Sequence, residues 1–359
     1  VFGLFLILSL IVLTAVTMDF GAIRVAQTEL RRSADAAAMA ACWEMYEHQQ
    51  ARVTSTELLQ VAAWEAANQI SDHNVVGQSA PQLNFLDIEV GKFDGTTGEF
   101  QAALSDHNAV SLTVRRHSWA NGELPLFFGS ITGRDSQQLQ MSATAAMFAA
   151  ISGFRDPDSD DTLNILPFAL DLGSWEAAVA GTSTDKYAYS LGSVQSGSDG
   201  VSETNLYPRG DGPPGNRGTL DIGGDNNSTN DLERQVLHGI SRQDLIELGK
   251  PLEFDANGEL DLIGDTGISA GLKEELATLI GKTRIIPIFT TVQGNGNNAV
   301  YTIVRFEGVR ILSVRLTGPS RSKHVMIQPT KLVARNTIID YSGTYTPSSH
   351  LVTPVMLVE

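Results

Sequence analysis

VFGLFLILSLIVLTAVTM, residues 1–18, carries no charge. Wound as an α-helix it spans roughly 27 Å, close to the hydrocarbon core of a bilayer. Its polar interruptions, Gly3, Ser9, Thr14 and Thr17, are small, and the hydroxyls can return to the backbone of the preceding turn. Asp19 is the first charge, yet the helical pattern runs on. Ile23, Ala26, Leu30, Ala34, Ala37, Ala41 and Met45 step by three or four, the spacing of one helix face. No proline occurs before Pro81, and the only glycines up to residue 50 are Gly3 and Gly21. The stretch predicts one helix of about fifty residues, too long for a single crossing. Its first third belongs in an apolar medium and the remainder projects from it. Such a rod needs neighbours, either lipid or copies of itself. No basic segment precedes the run and no A-x-A site follows it, which argues against a cleavable signal peptide. Val1 is not methionine, so the expectation is a start created by processing. Six alanines within 34–41 allow close approach of backbones, and plain helix propensity explains them equally well.

The stretch MDFGAIRVAQTELRRSADAAAMAA, residues 18–41, resembles the N-terminal module of the TadE/TadG-like proteins of bacterial tight-adherence (Flp-type) pili. That module is an apolar helix, then D-x-G, then a leucine and an A-D-A-A-A run. The matching residues are Asp19, Gly21, Leu30, Ala34, Asp35, Ala36, Ala37 and Ala38. More loosely, PGNRGTLDIGGDNNSTNDLERQVLHGI (214–240) and TGISAGLKEELATLIGKTRIIPIF (266–289) are similar to segments of TadG-like pilus-assembly proteins. One departure concerns the conventional type IV pilins, which carry a glutamate at the fifth mature position. Here Phe5 stands there, and no acidic residue precedes Asp19. The candidate assembly helix therefore rests on Val1, Phe2, Leu4 and Phe5 of the apolar run, with Asp19, Gly21, Leu30, Ala34, Asp35 and Ala38 of the motif.

The chain has 359 residues, a formal net charge of −16 and one cysteine, Cys42. That balance argues against nucleic acid as a partner, because phosphate neutralisation needs clustered Lys and Arg. A single cysteine cannot form an intrachain disulfide, so packing or assembly must hold the chain. An acidic head suits a solvent-facing surface. Arg24, Arg31 and Arg32 follow the apolar run, which leaves the orientation ambiguous by charge. The resemblance implies a head outside the cytoplasm.

Beyond the rod, Thr54 and Glu57 suggest a capping box opening a helix to about residue 70. Strand signals follow at 83–90 and 99–103 around the turn 93–98, then at 109–115 and 138–148, with a short apolar segment at 124–131 between them. Residues 51–150 thus read as one α+β, pilin-like unit with about four antiparallel strands. The polar run SGFRDPDSDD (152–161) marks a boundary, and 181–230 is rich in Gly, Ser, Asn and Asp, unable to bury much by itself. Helices are expected at about 172–180, capped by Asp171, at 228–240, capped by Thr229 or Asn230, at 244–247, and at 266–279. Strands are expected at 284–291, 299–304, 309–316, 324–327 and 351–358. The fold class is α+β: a long N-terminal helix at 1–50, then two α+β domains with antiparallel sheets, at 51–150 and 151–359.

Motifs that could carry chemistry are weak. Gly267-Ile268-Ser269-Ala270-Gly271 matches a G-x-S-x-G nucleophile elbow, with Asp340 and His350 following in hydrolase order. Four residues separate Ser269 from the last apolar strand residue, and no parallel sheet is expected, so Asp265, Thr266 or Ser269 reads better as a helix cap. Gly281-Lys282-Thr283 lacks the earlier glycine of a P-loop and closes a helix instead of opening one. The seven histidines have no metal-ligand spacing. Asp156, Asp158 and Asp160, and Asp255, Asn257, Glu259 and Asp261, alternate as in calcium loops without the closing glutamate, and read as surface turns. Some TadG-like proteins carry a von Willebrand A-type domain, but its D-x-S-x-S motif is absent here. The sequons at Asn226 and Asn227 read as incidental. No cofactor, metal or catalytic function is expected. The resulting expectation is a structural subunit of a Tad-like cell-surface filament. Its partners would be identical subunits in a helical homo-oligomer and the pilus assembly machinery, with the rod in the inner membrane before assembly. The alternative is an assembly protein that stays in the inner membrane, and a serine hydrolase is a distant third.

Overall fold

A computed structural model of the chain describes residues 2–51, 53–208, 218–223, 228–266, 271–294, 296–343 and 345–358, with only the backbone course of Thr132, Asn297 and Ser320. The class is α+β, with a long apolar helix leading into mostly antiparallel sheet. The chain divides into two compact units, Val1–Met147 with Val355–Glu359, and Phe148–Pro354.

The first unit is built on helix α1 (Phe2–Gln50), 49 residues long. Ser9, Thr14 and Thr17 donate their hydroxyls to the carbonyls of Phe5, Leu10 and Leu13, so the apolar third exposes no unpaired hydroxyl. Helix α2 (Thr56–Asp72) lies against α1. Its N-cap is Ser55, whose side chain accepts from Leu58 N, and not Thr54, so Glu57 falls one position too early for the expected capping box. Behind the helices stands a five-stranded antiparallel sheet. Four strands are β1 (Ile88–Asp94), β2 (Glu99–Ala102), β3 (Ala109–Arg116) and, after the short β4 (Leu124–Pro125), helix α3 (Gly129–Thr132) and β5 (Ser136–Gln137), β6 (Leu139–Ala146). Strand β1 begins later than the sequence suggests because residues 85–87 form a 3₁₀ turn capped by the Asn84 side chain. The fifth strand, Met356–Val358, pairs with β6 and was not separable from Leu351–Val352 by pattern.

The alanine run of α1 faces this sheet. Ala34, Ala37, Ala38 and Ala41 are fully buried, as are Ala145 and Ala146 of β6, and α1 packs on both β6 and β3. Small residues on both faces let helix and sheet approach closely at crystal-like density. The small side chains therefore serve packing inside the first unit. At the α1–α2 contact, the Ser33 and Ser71 hydroxyls lie 3.2 Å apart and Ser71 donates to Pro81 O, so these buried hydroxyls are paired.

The second unit holds a seven-stranded sheet. Its principal strands are β7 (Leu260–Asp265), β8 (Thr283–Gln293), β9 (Ala299–Arg315) and β10 (His324–Pro329), and β9 pairs antiparallel with each of the other three. Strand β8 has apolar neighbours on both faces. Ile285 and Phe289 join one buried cluster and Ile286 and Ile288 the other, which explains the near-continuous apolar run there. The two strands expected at 299–304 and 309–316 are one 17-residue strand. Glu307 and Gly308 resemble a turn in sequence, but Glu307 is buried, and a Cβ at Gly308 would meet Thr330 O at 2.4 Å and His350 O at 2.5 Å. Glycine here marks a close backbone approach inside a strand. Helix α4 (Leu172–Val179) is capped by Asp171 as expected, but α5 (Thr229–His238) is capped by Ser228 in place of Thr229 or Asn230. After α6 (Arg242–Leu248), with its Ser241–Asp244 capping box, α7 (Lys273–Ala277) starts later than the expected residue 266.

Candidate functional site

From Phe2 to Met18 every large apolar side chain of α1 is exposed, and only Ala15 is covered. No other helix among the described residues is long and apolar enough to cross a membrane. The covered face begins at Asp19, which is 4% exposed. Its Oδ1 accepts from Phe127 N at 2.8 Å and Phe128 N at 3.2 Å, and its Oδ2 accepts from Phe128 N at 3.1 Å. A carboxylate this buried needs such donors to offset its lost hydration. The first charge after the apolar run is thus engaged inside its own unit, holding a loop 108 positions away.

That loop, 126–131, which runs into the single-turn helix α3, carries two apolar side chains into solvent: Phe127 is 74% and Ile131 49% exposed. Next to it lies a groove of about 390 Å³, lined by Val25, Ala26 and Glu29 of α1 and by Gly77, Leu124 and Phe127, among others. Two of these lining residues are joined, Glu29 accepting from Gly77 N at 2.9 Å. Beneath it, the buried Arg116 donates to the carbonyls of Val76, Gly122 and Glu123, and burial lowers its pKa.

Two family matches fall on these same elements: residues 1–53 match the Flp pilus-assembly TadE/G-like family, and residues 36–145 match the Tad-like Flp pilus-assembly family. Over its first 145 residues the chain is thus similar to Tad-type pilus-assembly families. Both matches end within the first unit, so the similarity drawn from 214–240 and 266–289 stands outside them. No curated protein and no solved structure matches the chain.

Within this matched region, the structure separates the predicted assembly residues into two groups. Phe2, Leu4 and Phe5 lie on the uncovered third of the rod, Gly21 is exposed with open space where a Cβ would stand, and Val1 lies outside the described residues. Asp19, Leu30, Ala34 and Ala38 face inward, and Asp35 is half-buried with Arg31 at 3.9 Å. Asp19 and the A-D-A-A-A motif therefore sit where α1 packs on the rest of its own unit, and Gly21 does not. The sequence reading did not single out Phe127, Phe128 or Ile131, although the apolar segment 124–131 was their visible trace.

Ser269 of the G-x-S-x-G motif lies outside the described residues. The strand leading toward it, β7, has antiparallel partners, which is not the sheet of a nucleophile elbow. Asp340 accepts from Ser342 N and Tyr345 N, forming a loop. His350 stacks edge-on against Trp175 at 5.3 Å, and burial, with Lys331 nearby, lowers its pKa to about 4. Glu307 holds the segment before His350: its carboxylate accepts from Ser348 Oγ, Ser349 N and His350 N. Asp255 likewise caps its own turn, through Asn257 N and Glu259 N. Among the described residues, no three His, Cys, Asp or Glu side chains converge to hold a metal ion.

Proposed function

We propose that the chain is a structural subunit of a Tad-type pilus filament, assembled through the uncovered third of α1. The carrying observation is the contrast along that helix: apolar and bare from Phe2 to Met18 but for Ala15, then with one face buried in its own unit from Asp19 onward. Covering a large apolar side chain stabilises by roughly 1.5–3 kcal/mol, so covering the whole run gains on the order of 20 kcal/mol. A gain of that size exceeds the net stability of a typical domain and decides where the rod resides. Before assembly it sits in the inner membrane with the two α+β units outside the cytoplasm. On assembly it exchanges lipid for identical rods, keeping its burial while packing contacts increase. The rest of the chain forms the shell. In this reading the chain is structural and not catalytic, and its partners are identical subunits and the pilus assembly machinery.

The described geometry of α1 also fits a permanently membrane-anchored assembly protein, since lipid covers the same side chains. Electron microscopy of surface material from cells producing the chain separates the two. Helical filaments with this chain as the repeating unit support the proposal. Recovery of the chain only in the inner-membrane fraction, as detergent-dispersed monomer, overturns it in favour of the anchored form.

A further inference from the structure

We propose that the loop 126–131 is a membrane-interface collar, seating Phe127 and Ile131 in the headgroup–acyl boundary beside the emerging helix. This rests on the reading that residues 2–18 occupy a bilayer before assembly. The first argument is height. An 18-residue apolar run matches the hydrocarbon thickness, so its next residue, Asp19, lies where the helix leaves it. The hydrogen bonds from Phe127 N and Phe128 N fix the loop to that level. A buried carboxylate at its base also prevents it from riding deeper.

The second argument is backbone satisfaction. Leu126 N donates to Asp135 O, Ile131 N to Phe128 O and Arg134 N to Gly129 O, while Phe127 N and Phe128 N are taken by Asp19. With the amides of Leu126, Phe127, Phe128 and Ile131 paired internally, these residues enter an apolar boundary without stranding those donors. The third is composition at the same level. Phe20 is 55% exposed, and the Arg24 guanidinium lies 5.0 Å over its ring. An aromatic at the boundary with an arginine one turn farther out is the arrangement that anchors helices at membrane surfaces. Rod and loop together give the module two points of contact with lipid, which fix tilt as well as depth.

The test uses the full chain with Cys42→Ala as background, reconstituted into phosphatidylcholine vesicles. Single nitroxide labels are placed at Leu10→Cys, Phe127→Cys, Ile131→Cys and Leu104→Cys. Leu104 is an exposed apolar residue of the same unit, away from the collar. Phe127, Ile131 and Leu104 are solvent-facing, so labelling them leaves the core intact. The ratio of collision rates with oxygen and with a water-soluble nickel chelate reports depth. The proposal expects the highest ratio at Leu10, an intermediate ratio at Phe127 and Ile131 severalfold above Leu104, and a water-like ratio at Leu104. A deep Leu10 with Phe127 and Ile131 matching Leu104 overturns the collar while leaving the bilayer reading intact. A water-like Leu10 removes the bilayer reading and the collar with it. Shielding of 127 and 131 from both reagents, with spin–spin broadening lost on dilution by unlabelled chain, assigns the patch to a second copy and overturns the lipid assignment.

Discussion

Substitution of Asp19 isolates the joint between rod and head. Asp19→Ala removes both acceptor oxygens and leaves Phe127 N and Phe128 N facing apolar surroundings. Hydrogen bonds to a charged group contribute about 1.5–3 kcal/mol each, and a stranded donor costs about 1–3 kcal/mol. Because the two donors share one carboxylate, the terms overlap, and the expected cost is about 2–4 kcal/mol. Asp19→Asn keeps Oδ1 in place but turns an amide donor toward Phe128 N, and should cost about half as much. The assay is amide hydrogen exchange of the reconstituted chain, read at Phe127 and Phe128. Each 1.4 kcal/mol is a factor of ten in the opening equilibrium, so protection at those amides should fall by about 30-fold to several hundredfold in Asp19→Ala. The amides of β3 and β6 serve as the reference and should move far less. Unchanged protection at 127 and 128 in the alanine variant would refute the idea that this aspartate holds the loop.

Further expectations follow from packing and from titration. Ala37→Leu overfills the helix–sheet contact at a fully buried position and should destabilise the first unit by about 1–3 kcal/mol, whereas Met39→Leu, on the exposed face, should stay near wild type in denaturant midpoint. His350, neutral and buried, has a folded pKa near 4 against 6.5 when free, so the unfolded chain takes up its proton first as the pH falls. Its contribution is complete above pH 6.5 and is lost between 6.5 and 4, at most about 3 kcal/mol in all. Glu307, whose carboxyl is pushed up by burial, runs the opposite way, gaining on acidification. His350→Phe keeps the ring against Trp175 and should flatten the acid-side loss of stability of the second unit; parallel pH curves for variant and wild type would contradict this.

What the sequence made legible was local and periodic. The apolar run, the three-four stepping of α1 and the helix cap at Asp171 all rest on neighbours in the chain, and each was observed. Contacts between distant residues were not legible. Nothing near Asp19 announces Phe127, because a carboxylate accepting two amides leaves no periodic trace. The same holds for the C-terminal strand that completes the sheet beside β6: three residues are too few for an alternation to register. Gly308 misled for a different reason. Glycine marks both turns and close backbone approaches, and only the position of Thr330 O tells which applies. For the site, Asp19, Leu30, Ala34 and Ala38 of the motif turn their side chains into the first unit, while the uncovered surface belongs to the featureless apolar run.

That division has a consequence for how copies would cohere. Residues 1–18 contain no ionisable side chain, and both oxygens of Asp19 are engaged by main-chain amides of its own subunit. In the proposed filament, a core built from these rods would therefore be held by apolar packing, with no side-chain ion pair in residues 1–19 to weaken. The chains themselves carry a formal net charge of −16 each, so adjacent copies repel. Raising ionic strength from about 0.1 M to about 1 M shortens the Debye length from about 10 Å to about 3 Å, which screens that repulsion and leaves apolar contacts intact. Filaments should accordingly keep or increase their mean length as salt rises, measured by electron microscopy and by sedimentation of the unassembled fraction. An ion-paired core predicts the reverse. Filaments that shorten and release subunits over the same range would show that a charge pair, and not the bare rod, holds neighbouring copies together.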